Sequence, residues 1–133
     1  MFIKVSNDRI EIEKLISMIN NEKNGAIVTF IGTVRDSNEG KNVTKIIYDA
    51  YLPMAEIELE KLLKETKLKF NILDACVHHR IGEFYPGEIV VFIAVSSEHR
   101  EEAFNACKYI IDRIKETVPI WKKEFYGEES RWL

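Results

Sequence analysis

The sequence predicts an α+β fold: a mixed or antiparallel sheet with about three helices packed on it, closing on a terminal β-hairpin. Three observations lead there. Apolar residues recur with helical spacing in three separate segments. Four longer runs are apolar and mostly β-branched, as strands are. Strand-like runs come in pairs joined by short turns, so the order reads β-α-β-β-α-β-β-α-β-β. That order suits helices packed on a mixed sheet better than a doubly wound parallel one.

The elements follow in chain order. Phe2 to Val5 is short and β-prone. Asp8, followed three residues later by Glu11, has the spacing of a capping box. Behind it Ile12, Leu15, Ile16 and Ile19 form one helical stripe, which Asn24-Gly25 is expected to end. Ala26 to Ile31 reads as a buried strand ending at Gly32, and Arg35 to Asn42 as a mobile, polar, turn-rich loop. Val43 to Tyr51 is the next strand. Pro53 sits where the first turn of a helix tolerates it. Ala55, Leu59, Leu62, Leu63 and Thr66 carry the buried face of that helix, about 13 residues long by its periodicity. Ile72 to His79 is a long strand, Gly82 to Gly87 a turn, and Ile89 to Val95 a strand apolar enough to be covered on both faces. Glu98 to Ile114 is the third helix, with Ala103, Phe104, Cys107, Ile110, Ile111 and Ile114 on one stripe. Pro119 cannot continue it. Lys122 to Tyr126 and Ser130 to Leu133 flank Gly127 as a hairpin.

Composition narrows the function. The 133 residues, 46% of them hydrophobic, suit one domain spanning 1–133 with a core of its own and exclude a disordered chain. No run approaches the roughly 18 apolar residues of a membrane span, and the N-terminus lacks a signal-peptide core or cleavage site. Nineteen basic against 22 acidic residues leave a net charge of −3, which argues against a nucleic-acid binder. Cys76 and Cys107 can make neither a disulfide framework nor a four-ligand zinc site and read as core thiols. A cytoplasmic location follows as the expectation.

The residues that could carry chemistry are mostly cations. No GxGxxG, GxxxxGK[ST] or GxSxG pattern is present. His78 and His79, adjacent on a strand, point to opposite faces and cannot share a metal, so no metal or resident cofactor is expected. His99 and Arg100 open the third helix behind Ser96 and Ser97, which are plausible caps; a helix N-terminus plus two cations makes an anion site, although both side chains could simply be solvated. Arg35, just past a strand, is placed for phosphate, or is an ordinary surface charge. The segment Lys115 to Glu124 holds Pro119-Ile120-Trp121 between lysines. Packing of that tripeptide would set Lys115 or Lys122 against an apolar wall, where lost hydration makes an amine a usable acid, base or nucleophile. The plainer alternatives are a lysine favoured by a helix C-terminus and a solvated strand end. A cationic site without a side-chain nucleophile beyond lysine implies a reactive group that arrives with a substrate or partner.

Four blocks, in order and spanning nearly the whole chain, resemble one family. They are Gly25-Ala26 through Phe30-Ile31-Gly32-Thr33-Val34-Arg35; His79-Arg80-Ile81-Gly82 with Pro86-Gly87-Glu88; Val95-Ser96-Ser97-Glu98-His99-Arg100 with Ala103-Phe104; and Lys115 with Pro119-Ile120-Trp121-Lys122-Lys123-Glu124 and Arg131-Trp132. The family is the large, catalytic subunit of molybdopterin synthase. The resemblance implies an α/β-hammerhead type of fold and a homodimer. Each large subunit binds a small ubiquitin-like subunit, giving a heterotetramer. The small subunit's C-terminal Gly-Gly thiocarboxylate threads into the large subunit's pocket, and sulfur passes from it to a cyclic pyranopterin monophosphate to build a dithiolene. Lys115 and Lys122 match the two catalytic lysines, the first near the thiocarboxylate carbonyl and the second assisting proton transfer. Arg35, His99 and Arg100 match anion-binding positions, Phe30 a pocket-lining aromatic, and Lys123 and Glu124 further substrate-binding positions. The pocket is expected to draw on both protomers. Many relatives carry a basic tail beyond the Arg-Trp pair, where this sequence has only Leu133. The competing readings are a non-catalytic module that binds a ubiquitin-like protein and a phosphoesterase acting on a cyclic phosphate. The latter is disfavoured by the missing metal ligands and carboxylate cluster.

Overall fold

The computed structural model describes all 133 residues. In chain order the elements are β1 (Phe2–Ser6), α1 (Ile12–Ile19), β2 (Ala26–Thr33), β3 (Ser37–Asn38), β4 (Lys41–Asn42), β5 (Lys45–Ala50), α2 (Leu52–Phe70), β6 (Asp74–Arg80), β7 (Gly82–Phe84), β8 (Ile89–Ser97), α3 (Arg100–Thr117), β9 (Ile120–Tyr126) and β10 (Glu129–Trp132). The α+β expectation holds, with three helices and mixed and antiparallel sheets.

The first sheet has the order β1-β6-β8-β2. β1 runs parallel to β6, and the other pairings are antiparallel. β8 is central and buried almost throughout, and its alternation divides the core. Val91, Ile93 and Val95 join the larger cluster with Leu59, Leu63, Ala103 and Ile110 from α2 and α3. Phe92 and Ala94 join the smaller one with Leu15 and Ile19 from α1. Helices therefore cover both faces, as the unbroken apolar run of β8 requires. Each fully buried Phe, Leu or Ile side chain contributes about 1.5–3 kcal/mol. Cys76 and Cys107 are free and buried, as expected.

The second sheet, β10-β9-β5-β7, is antiparallel throughout. Its inner residues Ile46 and Phe84 belong to the larger cluster, so the two sheets share one core.

Several local expectations are corrected. Asp8 does not cap α1: its carboxylate pairs with Lys4 at 2.8 Å and its N–H donates to Ser6 Oγ at 3.1 Å. α1 starts behind Glu11 without a side-chain cap and ends at Asn20, because Asn21 and Asn24 close a separate turn before β2. β2 runs through Gly32 to Thr33, with its register shifting there, and it is an edge strand with Thr29, Ile31 and Thr33 exposed rather than a buried one. Arg35 to Asn42 contains a two-residue hairpin instead of a loop; Glu39 and Gly40 both take positive φ (49° and 79°), the geometry such a turn demands. α2 has 19 residues, not 13, ending where Asn71 turns left-handed; its buried residues are the five expected. Within Gly82 to Gly87, the first three residues form strand β7 against β5. α3 runs from Arg100 to Thr117, and Phe104 is 59% exposed while Ala106 takes its place inside. No helix is long and apolar enough to cross a membrane.

Candidate active site

β9 organises the site. Its alternation puts Lys122, Glu124 and Tyr126 on one face and Trp121, Lys123 and Phe125 on the other. Glu124 is 3% exposed. Its Oε1 accepts from the Tyr126 hydroxyl at 2.6 Å and from Asn38 Nδ2 at 2.8 Å, and its Oε2 lies 3.7 Å from the Lys122 ammonium. Burial alone would raise its pKa, but the bonds from Tyr126 and Asn38 and the charge of Lys122 outweigh it and hold the carboxyl below its usual range. Glu124 is thus a buried, ionised anchor for Lys122, which remains one-third exposed. Across the sheet Tyr48 stands directly opposite Lys122.

The same carboxylate docks the hairpin that follows Arg35. Asn38 belongs to β3, and further ties join the hairpin to β9 and β10: Arg131 with Glu39 at 3.3 Å, and Lys41 with Glu129 at 3.7 Å. Arg35 itself is exposed, one residue beyond Val34, whose N–H donates to the Glu88 carbonyl. Lys115 is exposed in the last turn of α3; the chain then passes Val118 and Pro119, and the Pro119 carbonyl accepts from Tyr51 N–H at 3.2 Å.

His99 and Arg100 lie elsewhere. α3 is capped by His99 without a side-chain bond, and neither serine caps it: the Ser97 hydroxyl donates to the His99 carbonyl, and Ser96 is buried in β8. Gly25 N–H donates to Ser97 O at 2.9 Å, so the start of α3 sits at the Ala26 end of β2. Arg35 follows the other end. Eight strand residues span about 25 Å, and the fifteen residues from Arg100 to Lys115 span about 22 Å of helix. Within one chain, Arg35, Lys115 and Lys122 therefore share one end of the molecule and His99 and Arg100 occupy the opposite end.

The remaining expected residues divide likewise. Phe30 is half-buried on β2 and packs on the larger core. Lys123 points away from Lys122, with its ammonium 5.3 Å from the ring centres of Phe125 and Trp132. Trp121 is 49% exposed, so Pro-Ile-Trp does not wall in a lysine within one chain, a correction to the packing expected of it. His78 and His79 do point apart: His78 Nε2 is 3.1 Å from Ser6 Oγ, and His79 Nδ1–H donates to the Arg80 carbonyl at 2.8 Å. Burial pushes both imidazoles down to about 4. Tyr126, two residues beyond Glu124 on the same strand face, was legible from alternation alone. Asn38, 86 positions away, left no such signal.

A lysine held beside a buried carboxylate, buried thiols and two sheets sharing one core describe an α+β protein with a charged site at one end of β9. The family model described as MoaE protein matches residues 5–117, and the chain belongs to that family. Its relatives include the molybdopterin synthase catalytic subunits of Thermoplasma volcanium, 49% identical over 92% of this chain and 90% of that one, and of Pyrococcus abyssi, 44% identical over 92% and 82%. The crystal structure of molybdopterin synthase from Staphylococcus aureus superposes with a TM-score of 0.93 at 40% identity, covering 98% of this chain and 95% of that one.

Proposed function

We propose that this chain, acting as one domain over residues 1–133, is the catalytic subunit of a molybdopterin synthase in the cytoplasm. It transfers sulfur from the C-terminal Gly-Gly thiocarboxylate of a small ubiquitin-like subunit to cyclic pyranopterin monophosphate. The observation that carries the reading is the Lys122–Glu124 pair: a cation held by a buried carboxylate, on the strand that follows Lys115 and beside the hairpin that follows Arg35.

The thiocarboxylate brings its own sulfur nucleophile, so the chain needs no catalytic thiol. Lys115 lies near the thioacyl carbonyl and stabilises charge developing there. Lys122 moves a proton at the pterin side chain. Arg35 holds the phosphate, with Phe30 lining the pocket and Lys123 and Glu124 supporting the substrate side. Exposed Tyr51, Leu52, Met54 and Ile57 around the start of α2 offer apolar surface for the small partner.

His99 and Arg100 join the pocket from a second copy. β2 has a free edge, and Ile31 on it is 43% exposed. Two such edges pairing antiparallel about a twofold axis bring each strand's Arg35 end to the other's His99 end, which closes the gap of about 25 Å. The assembly is then a homodimer with one small subunit on each copy, a heterotetramer.

Turnover with a thiocarboxylated partner, followed by mass spectrometry of the pterin, tests the reading. Dithiolene formation that stops when the partner ends in a plain carboxylate is the expected result. Binding of both partner forms without sulfur transfer would leave only a binding module, and ring opening without any sulfur donor would make the chain a phosphoesterase.

A further inference from the structure

We infer that Tyr48 is a further substrate-binding residue of this site, its hydroxyl donating a hydrogen bond to the anionic group that Lys122 attracts. The inference rests on the reading that Lys122 faces substrate.

Tyr48 and Lys122 are direct cross-strand partners, so their side chains leave the same sheet face with Cβ atoms about 4.5–5.5 Å apart. The Tyr48 ring is fixed from behind. It meets the edge of His79 at 4.8 Å and 77°, and Phe84 at 6.5 Å. His79 is itself held by its bond to the Arg80 carbonyl. Tyrosines taken out of water ordinarily find a partner for the hydroxyl, and even the half-exposed Tyr109 and Tyr126 have one, each on a glutamate. The Tyr48 hydroxyl has none within the chain, and its oxygen, on a half-buried residue, is not fully sealed from solvent. Its ring is immobilised, and its one polar atom is left without a partner on a residue that stands directly opposite Lys122.

Burial, and then the charge of Glu124, push the Tyr48 phenol up to about 12, so it stays a protonated donor at any working pH. A lysine is a flexible point charge that attracts any anion. A rigid phenol adds a direction. The pair therefore selects an anion that offers an oxygen or sulfur to both groups at once: the thiocarboxylate of the tail or the cyclic phosphate of the pterin.

Tyr48→Phe deletes only the oxygen and keeps the packing. In the assembled complex we expect kcat/KM to fall about ten- to hundredfold, as for a hydrogen bond lost to a charged group. A higher KM for the pterin with unchanged partner affinity identifies the phosphate as the acceptor. Weaker binding of the thiocarboxylated partner with unchanged pterin KM identifies the thioacid. A fall in kcat alone puts the contact in the transition state. Combined with Lys122→Ala, the losses should multiply to less than their product, because both act on one group. Parent-level kcat/KM in Tyr48→Phe, or fully multiplicative losses, would overturn the inference. Parent-level turnover in Lys122→Ala would instead overturn the site assignment beneath it.

Discussion

The Lys122 ammonium lies 3.7 Å from the carboxylate of Glu124, and that carboxylate is almost wholly enclosed while the lysine is not. One partner is structural and the other faces outward, so substitution of each has a different signature.

Glu124→Ala should cost about 1–3 kcal/mol of stability, since the half-buried donors of Tyr126 and Asn38 lose their charged acceptor. It should also loosen the hairpin behind Arg35. Denaturant unfolding with hydrogen exchange at residues 37–42 checks both effects; an unchanged midpoint together with unchanged exchange would refute the anchoring role.

Lys115→Ala should abolish dithiolene formation, a loss of hundredfold or more, while partner binding stays near the parent level. Lys122→Ala should lower turnover strongly, and Arg35→Ala should act mainly on retention of the phosphorylated pterin. Single-turnover assays with titrated pterin separate the three, and parent-rate product from Lys115→Ala would remove its catalytic assignment.

Complementation tests the shared pocket. Lys115→Ala and Arg100→Ala should each be inactive as pure dimers. Half of the dimers formed on mixing equal amounts carry one intact pocket out of two, so about a quarter of parent activity should return. No recovery after verified subunit exchange would mean that each pocket is built within one chain.

Acid should destabilise the fold early. His78 and His79 titrate near 4 when folded, against about 6.5 when unfolded. Between those values the unfolded state binds more protons, so stability is fully present above pH 6.5 and falls as pH drops toward 4. Urea midpoints at pH 7, 5.5 and 4.5 should decline in that order, and a flat profile would contradict the buried neutral imidazoles.

Gly25→Ala should disturb both stability and the start of α3. A Cβ there would sit 2.3 Å from the Glu98 carbonyl oxygen, a backbone atom that cannot yield without moving His99 and Arg100. The expected cost is about 1–3 kcal/mol, read as a lower melting midpoint, and unaltered melting with parent activity would show that the junction adapts.

Periodicity made much of this molecule legible. The five buried residues of α2 and the two-sided burial of β8 follow from spacing, because a helix face and an unbroken apolar strand leave local patterns. Asp8 misled because Lys4 competes for its carboxylate, a contact that the spacing to Glu11 does not reveal. Phe104 misled because helical spacing alone does not say which apolar stripe the core takes. The exposed edge of β2 depends on strand order, which no local pattern encodes. Lys115, Lys122 and Arg35 were legible as isolated cations. Their separation from His99 and Arg100 was not, since it depends on α3 running back along β2.

The interior placement of the two sulfhydryls also bears on custody of the cargo. Burial pushes Cys76 up to about 12 and Cys107 up to about 11, so neither supplies a thiolate at neutral pH. On the proposed function, a thioacid docking on this polypeptide would meet no competing thiolate that could intercept it by exchange, and delivery to the acceptor would have no side road.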